Sequence, residues 1–158
     1  MKNTVEELKQ IAISRQNGHK GSIPLYSRRL DDNDPYREAI IGLLGECAFG
    51  EKYNLEADLK FRPKGDNHID FKIKVDNKKL ITIYVKTHRN PTKLLIKEWE
   101  IKKCSDILVL AHYLSDTNIK FIGWTTKKIM QKQPTEVTSP RLKITNYFMY
   151  SQNLMKMK

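Results

Sequence analysis

A chain of 158 residues has room for one domain with a substantial core. Its hydrophobic fraction of 39% and charged fraction of 30% suit a folded globular protein and argue against disorder, and no apolar run reaches the roughly 20 residues that span a bilayer. A formal net charge of +11 favours a polyanionic partner, nucleic acid before an anionic membrane, against the plainer reading of a lysine-rich solubility surface.

The N-terminal stretch MKNTVEELKQIAISRQ carries acids and lacks an apolar signal core, which predicts an intracellular, cytoplasmic protein. There is no lipidation motif or strongly basic amphipathic helix, so no membrane partner is expected. Val5, Leu8, Ile11 and Ala12 recur at helical spacing and predict a helix over 3–15, broken by QNGHKGS. Residues 24–34 read as irregular. Asp34 and Pro35 then suit the start of a second helix running to about Tyr53. Cys47 and Cys104 are too few for a disulfide scaffold, and no zinc-ligand spacing is present.

Beyond the second helix the pattern alternates. A strand is expected over 57–62, a hairpin over 70–87, and a short strand over 93–96. A helix is expected over 97–104, followed by the strands DILVLAHY and IKFIGW. A short helix, TTKKIMQKQ, ends at Pro134, and LKITNYF is a last strand. This order predicts an α/β (α+β) single domain over 1–158, with a mixed central sheet flanked by helices. Residues 1–34 form an N-terminal helix and irregular extension, and 35–130 form the core.

In the hairpin, Phe71, Ile73 and Val75 share one face, as do Ile81, Ile83 and Val85. Both triplets reach one core only if opposed residue numbers sum to an even value. Pairing Phe71 with Val85 and Ile73 with Ile83 satisfies this and leaves the loop 77–79. That register sets Asp70 opposite Lys86 on the second face, with Tyr84 one pair further along. The plain reading of such a pair is a cross-strand ion pair of little worth.

Glu46 adds weight to a functional reading. On the helical wheel of 35–53, Ile40, Ile41, Leu43, Leu44, Cys47 and Ala48 make a broad apolar face, and Phe49 and Tyr53 make a second patch. Glu46 falls between them. A carboxylate among apolar groups is costly unless paired or bound to a metal, which makes it a functional candidate; the alternative is a side chain reaching out at the helix edge.

Basic and aromatic residues surround this region. His68 and His88 flank the acid and the lysine and could contact phosphate, although a histidine in a basic loop is more often simply exposed. Lys86, Arg89 and Lys93 lie near one strand end, and with Lys64, Lys72 and Lys74 they could form a basic groove for nucleic acid. Trp99, Trp124 and the run NYFMY are expected in the core rather than as a base-stacking platform.

GLLGECAFGEKY on the second helix, GDNHIDFKI on a strand and IYVKT on the next together resemble the PD-(D/E)XK nuclease superfamily, the restriction-endonuclease-like fold. CSDILVLAHY and IKFIGW are similar to the strands that follow the catalytic lysine in small phage and viral members. The resemblance covers roughly residues 36–130. It implies a metal-dependent nuclease hydrolysing DNA phosphodiester bonds, an (endo)deoxyribonuclease with Mg²⁺ or Mn²⁺ as cofactor, with endo and exo cleavage both left open. It implies Glu46 and Asp70 as metal ligands, the carbonyl of Val85 completing the metal shell, and Lys86 as the lysine that orients water. Many relatives act as homodimers, and phage members work in an infected host cell.

Tyr84 departs from the pattern. It occupies the position of the second strand carboxylate, so the site loses one charge and one ligand. Asp66 and Glu98 are weaker candidates for a replacement. The alternative is therefore a catalytically inactive nuclease-like module that binds DNA or a partner through the same surface.

Overall fold

The computed structural model describes residues 4–17, 36–59, 68–75 and 79–157. Asp34, Pro35, Lys64 and Asp66 lie outside the described residues, as do residues 60–62 of the strand expected over 57–62, of which 57–59 form no strand.

Helix α1 spans Val5–Asn17. It opens on a capping box: the Thr4 N–H donates to Glu7 Oε2 at 2.7 Å, and the Glu7 N–H returns to Thr4 Oγ1 at 3.3 Å. Helix α2 spans Arg37–Tyr53 and stops at Asn54, whose left-handed φ of 53° lets the Leu55 N–H reach the Gly50 carbonyl at 2.8 Å. Leu8 and Ala12 of α1 pack on Ile40, Leu43 and Leu44 of α2.

Strands β1 (Phe71–Val75), β2 (Lys79–His88), β4 (Ile107–Ser115) and β5 (Asn118–Thr126) form one sheet in the order β1-β2-β4-β5. The β1–β2 and β4–β5 pairs are antiparallel, and β2–β4 is parallel, so the central sheet is mixed as expected. A parallel pair needs a crossover. Here it contains β3 (Lys93–Lys97) and a run of turns. The helix expected over 97–104 is that run of turns: the Lys97 carbonyl accepts from both Glu100 and Ile101, and no regular ladder follows.

A second sheet was not expected. Strand β3 pairs with β7 (Ile144–Tyr150), and β7 pairs with β6 (Thr135–Ser139), in the order β3-β7-β6. The short helix α3 covers only Lys127–Met130. The two faces of the central sheet are both covered. Phe49 of α2 meets Phe71, Ile83, Val85, Val109 and Ala111 on one side. On the other, Leu108 and Leu110 meet Leu94 and Ile96 of β3, Met149 of β7 and Met130 of α3. Burial on both faces explains why β4 is a continuous apolar run rather than an alternating one. No helix among the described residues is long and apolar enough to cross a membrane.

The hairpin keeps the expected parity but not the expected register. Phe71 opposes Ile83, Ile73 opposes Ile81 and Val75 opposes Lys79, so Lys79 of the expected loop belongs to β2, and residues 77–78 of that loop lie outside the described residues. A slip of two residues preserves every inward and outward assignment, so apolar alternation cannot distinguish the two pairings.

Candidate active site

Asp70 lies just before β1. Continuing the observed register places it opposite Tyr84, not Lys86. Its N–H donates to the Ile83 carbonyl at 2.9 Å, and its Oδ2 accepts the Val85 N–H at 2.6 Å. The carboxylate thus replaces a strand partner for β2 just ahead of the start of β1. Asp70 is buried at 2% exposure, and it lines a cleft with Cys47, Asn54, Asp58 and Lys72.

Glu46 is buried on α2, as its place on the helical wheel implied. Arg15 of α1 approaches Glu46 Oε1 at 3.8 Å and donates to the Asp58 carbonyl at 2.9 Å. The Asp58 N–H in turn donates to the Asp70 carbonyl at 3.2 Å. Arg15 therefore links the Glu46 carboxylate to the backbone of Asp70 through Asp58. Nothing in the sequence pattern singled it out, because it sits in the last turn of a helix some thirty residues upstream of Glu46.

Tyr84 and Lys86 occupy the opposite face of β2 from Val85, facing the second sheet. Half-buried as whole residues, they hold their ionisable ends deep in the structure. Burial, then the charges of Asp70 and Glu100, push the Tyr84 phenol well above its ordinary value of 10, so it is neutral at working pH. The His68 ring meets the Tyr84 ring edge-on at 5.1 Å, and His68 adopts a left-handed φ of 56°. Burial lowers the pKa of Lys86, partly offset by Glu100. Lys86 Nζ donates to the Leu95 carbonyl at 2.7 Å. Leu95 belongs to an edge strand, so this ammonium serves a carbonyl that no strand partner takes.

The acid nearest to Lys86 in charge is thus Glu100, not Asp70. Glu100 is buried, takes the Lys97 ammonium at 2.7 Å and lies 3.8 Å from His68 Nε2. Sequence reading weighed Glu98 instead, and Glu98 is exposed. No sequence pattern marks Glu100, because its burial depends on turns that follow β3 once β3 has paired with β7.

Two of the other candidate cations hold separate partners. Arg89 pairs with Glu38 of α2 at 3.2 Å, and Lys93 pairs with Glu136 of β6 at 2.6 Å. Lys72 and Lys74 are exposed on β1, and His88 is half-buried on β2 beside His112 of β4. Of the basic groove expected from Lys86, Arg89 and Lys93 with Lys64, Lys72 and Lys74, Lys64 lies outside the described residues, Lys86 is turned to the Leu95 carbonyl, and Arg89 and Lys93 are held by separate acids. Trp99 is 56% exposed and Tyr150 47%, which corrects the expectation that both lie in the core.

Among the described residues no three His, Cys, Asp or Glu side chains gather as a metal cluster. The oxygens available for a cation in the expected set are the Asp70 and Glu46 carboxylates and one backbone carbonyl. Comparison with protein-family models, curated proteins and solved structures gives no match to this chain.

Proposed function

We propose that this chain is a metal-dependent nuclease of restriction-endonuclease-like fold that hydrolyses DNA phosphodiester bonds. The observation that carries the reading is the bond from the Val85 N–H to Asp70 Oδ2. The N–H and C=O of one residue in a strand address the same edge. The Val85 carbonyl therefore lies on the edge of β2 where the Asp70 carboxylate sits. Arg15 bridges the Glu46 carboxylate to the Asp58 carbonyl, and the Asp58 N–H meets the backbone carbonyl of Asp70. In this reading the Asp70 and Glu46 carboxylates and the Val85 carbonyl are the oxygens a hard cation would draw on. Mg²⁺ or Mn²⁺ bound there would supply a Lewis acid and a water of lowered pKa. The chain's own contribution is to fix Asp70 against β2, to exclude bulk water around Tyr84, and to keep a lysine two residues away on the same strand.

The test is cleavage of supercoiled, linear duplex and single-stranded DNA with each metal, using Asp70→Ala as the control. Metal-dependent cutting by the wild type alone supports the reading. An inert wild type on every DNA form, with no metal bound by calorimetry, removes it.

A second reading is favoured by two observations. Lys86 gives its ammonium to the Leu95 carbonyl, and Tyr84 stands where a carboxylate is expected. Both fit a nuclease-like module that binds DNA without cutting it. Restoration of cutting by Tyr84→Glu in an inert wild type selects this reading.

A further inference from the structure

The outward face of the second sheet carries aromatic rings interleaved with lysines. Leu94 and Ile96 of β3 point into the core, so Lys93, Leu95 and Lys97 point away from it. Opposite them on β7 stand Tyr150 across from Lys93 and Phe148 across from Leu95. The Lys93 ammonium lies 4.5 Å from the Phe148 ring and 5.1 Å from the Tyr150 ring. The two rings meet edge-on at 5.6 Å. At the other end of β3, Lys97 Nζ lies 5.1 Å from the Trp99 ring. Trp99 at 56% exposure and Tyr150 at 47% are far more open than rings that serve only to fill a core.

We infer that this face binds single-stranded nucleic acid, with bases stacking on Trp99, Phe148 and Tyr150 and phosphates reaching Lys93 and Lys97. Three features favour that occupant. Exposed rings on a sheet offer π-faces that any base can use. The lysines are already held against those rings, so a bound strand meets cation and ring together. The net charge of +11 is complementary to a polyanion and not to an ordinary neutral protein surface. Glu136, which pairs with Lys93, and Glu100, which pairs with Lys97, are the local opposing charges, and a phosphate must compete with them for the two ammoniums. The surface lies on the second sheet, apart from Asp70, and a chain that never cuts would still possess it.

The experiment is fluorescence anisotropy at low salt with a labelled oligothymidine of about 15 nucleotides and a duplex of the same length. Trp99→Ala and Tyr150→Ala should each weaken oligothymidine binding by roughly tenfold, while Trp99→Phe stays close to the wild type. Urea melts confirm that the variants are folded, which half-exposed positions make straightforward. The inference is overturned if the wild type does not bind oligothymidine, or if neither alanine variant changes the affinity. It is also overturned if duplex binding falls equally, since stacking on unpaired bases would then not be the cause. Loss of oligothymidine with the rings in a chain that does not cut keeps this surface and drops the nuclease reading. Cutting with no effect of the rings does the reverse.

Discussion

Asp70 closes the open edge of β2 by accepting the Val85 N–H on its Oδ2 at 2.6 Å. One carboxylate thereby has a structural duty and the proposed chemical one, and the two can be separated. Asp70→Ala leaves a buried N–H without its acceptor, which costs about 1–3 kcal/mol, and it should also abolish cleavage. Asp70→Asn keeps an acceptor oxygen but lacks the negative charge a cation needs. It should retain most of the wild-type stability in urea melts while losing metal binding and cutting. Equal loss of stability in both variants would show that the charge, not the hydrogen bond, holds this edge.

A glycine sets how closely α2 approaches β2. A Cβ on Gly45 would overlap Thr87 Oγ1 and come within 2.9 Å of Thr87 Cβ. Gly45→Ala should therefore push the helix off the sheet and destabilise the fold by about 1–3 kcal/mol. Thr87→Ala in that background removes the hydroxyl but not the Cβ, so it should recover part of the loss and not all of it. Thermal melting of the two single variants and the double variant measures this. An additive double variant would mean that the contact is not where the strain falls.

These relationships were unequally legible in the sequence. The burial of Glu46 followed from its position between two apolar patches of one helix, a local and periodic signal. The shared face of Phe71, Ile73, Ile81 and Ile83 followed from alternation, but the offset between the strands did not, because a shift of two residues changes no side-chain face. Glu100, the Leu95 carbonyl and the aromatic surface were not legible for a different reason. Each depends on β3 finding β7, a pairing between segments far apart in the chain that no local pattern announces. Strand β6, TEVTS, is short and largely polar and sits at the edge of its sheet, so it gives no strong strand signal.

Asp106 offers a test of stability against pH. Its Oδ2 accepts from the Thr82 N–H and from Thr82 Oγ1, each at 2.9 Å, tying the start of β4 to β2. The Thr82 N–H is the main cause holding this carboxyl below its ordinary value of 3.8. A depressed folded-state value means that the unfolded chain takes up the proton first on acidification. The stabilisation is thus complete above 3.8 and is lost as pH falls through the folded-state value. Asp106→Asn removes this titration. Its denaturation midpoint should fall less steeply than that of the wild type from about pH 5 downwards. Parallel acid limbs for the two proteins would rule the contribution out.

Lys86 should respond differently to shape and to charge. Its ammonium is held in a site that disfavours the charged form and is satisfied by the Leu95 carbonyl at 2.7 Å. Lys86→Met keeps most of the volume and removes the cost of burying charge, so its stability should stay within about 1.5 kcal/mol of the wild type. Lys86→Ala leaves a cavity and should cost about 2–3 kcal/mol. If the lysine takes part in cleavage, both variants should be inactive despite this difference in stability. Cutting by Lys86→Met at the wild-type rate would assign the lysine to the Leu95 carbonyl alone.

Tyr84→Glu separates the nuclease reading from the binding reading, and its behaviour follows from the charges around it. Asp70 and Glu100 are the two acids whose charges weigh most on the Tyr84 phenol, and burial weighs more than either. A glutamate there is a third carboxylate in an enclosed site, repelled from both sides. Without metal the variant should be less stable than the wild type by about 3–5 kcal/mol, or hold its new carboxyl protonated. A divalent cation reverses that sign, because it turns the repelling oxygens into ligands. Mg²⁺ or Mn²⁺ should therefore raise the melting temperature of Tyr84→Glu more than that of the wild type. The metal concentration for half-maximal cleavage should fall in the same direction. A variant that metal does not rescue would place Asp70 and Glu100 too far from residue 84 to share a cation with it, and the metal site would have to lie elsewhere on the edge of β2.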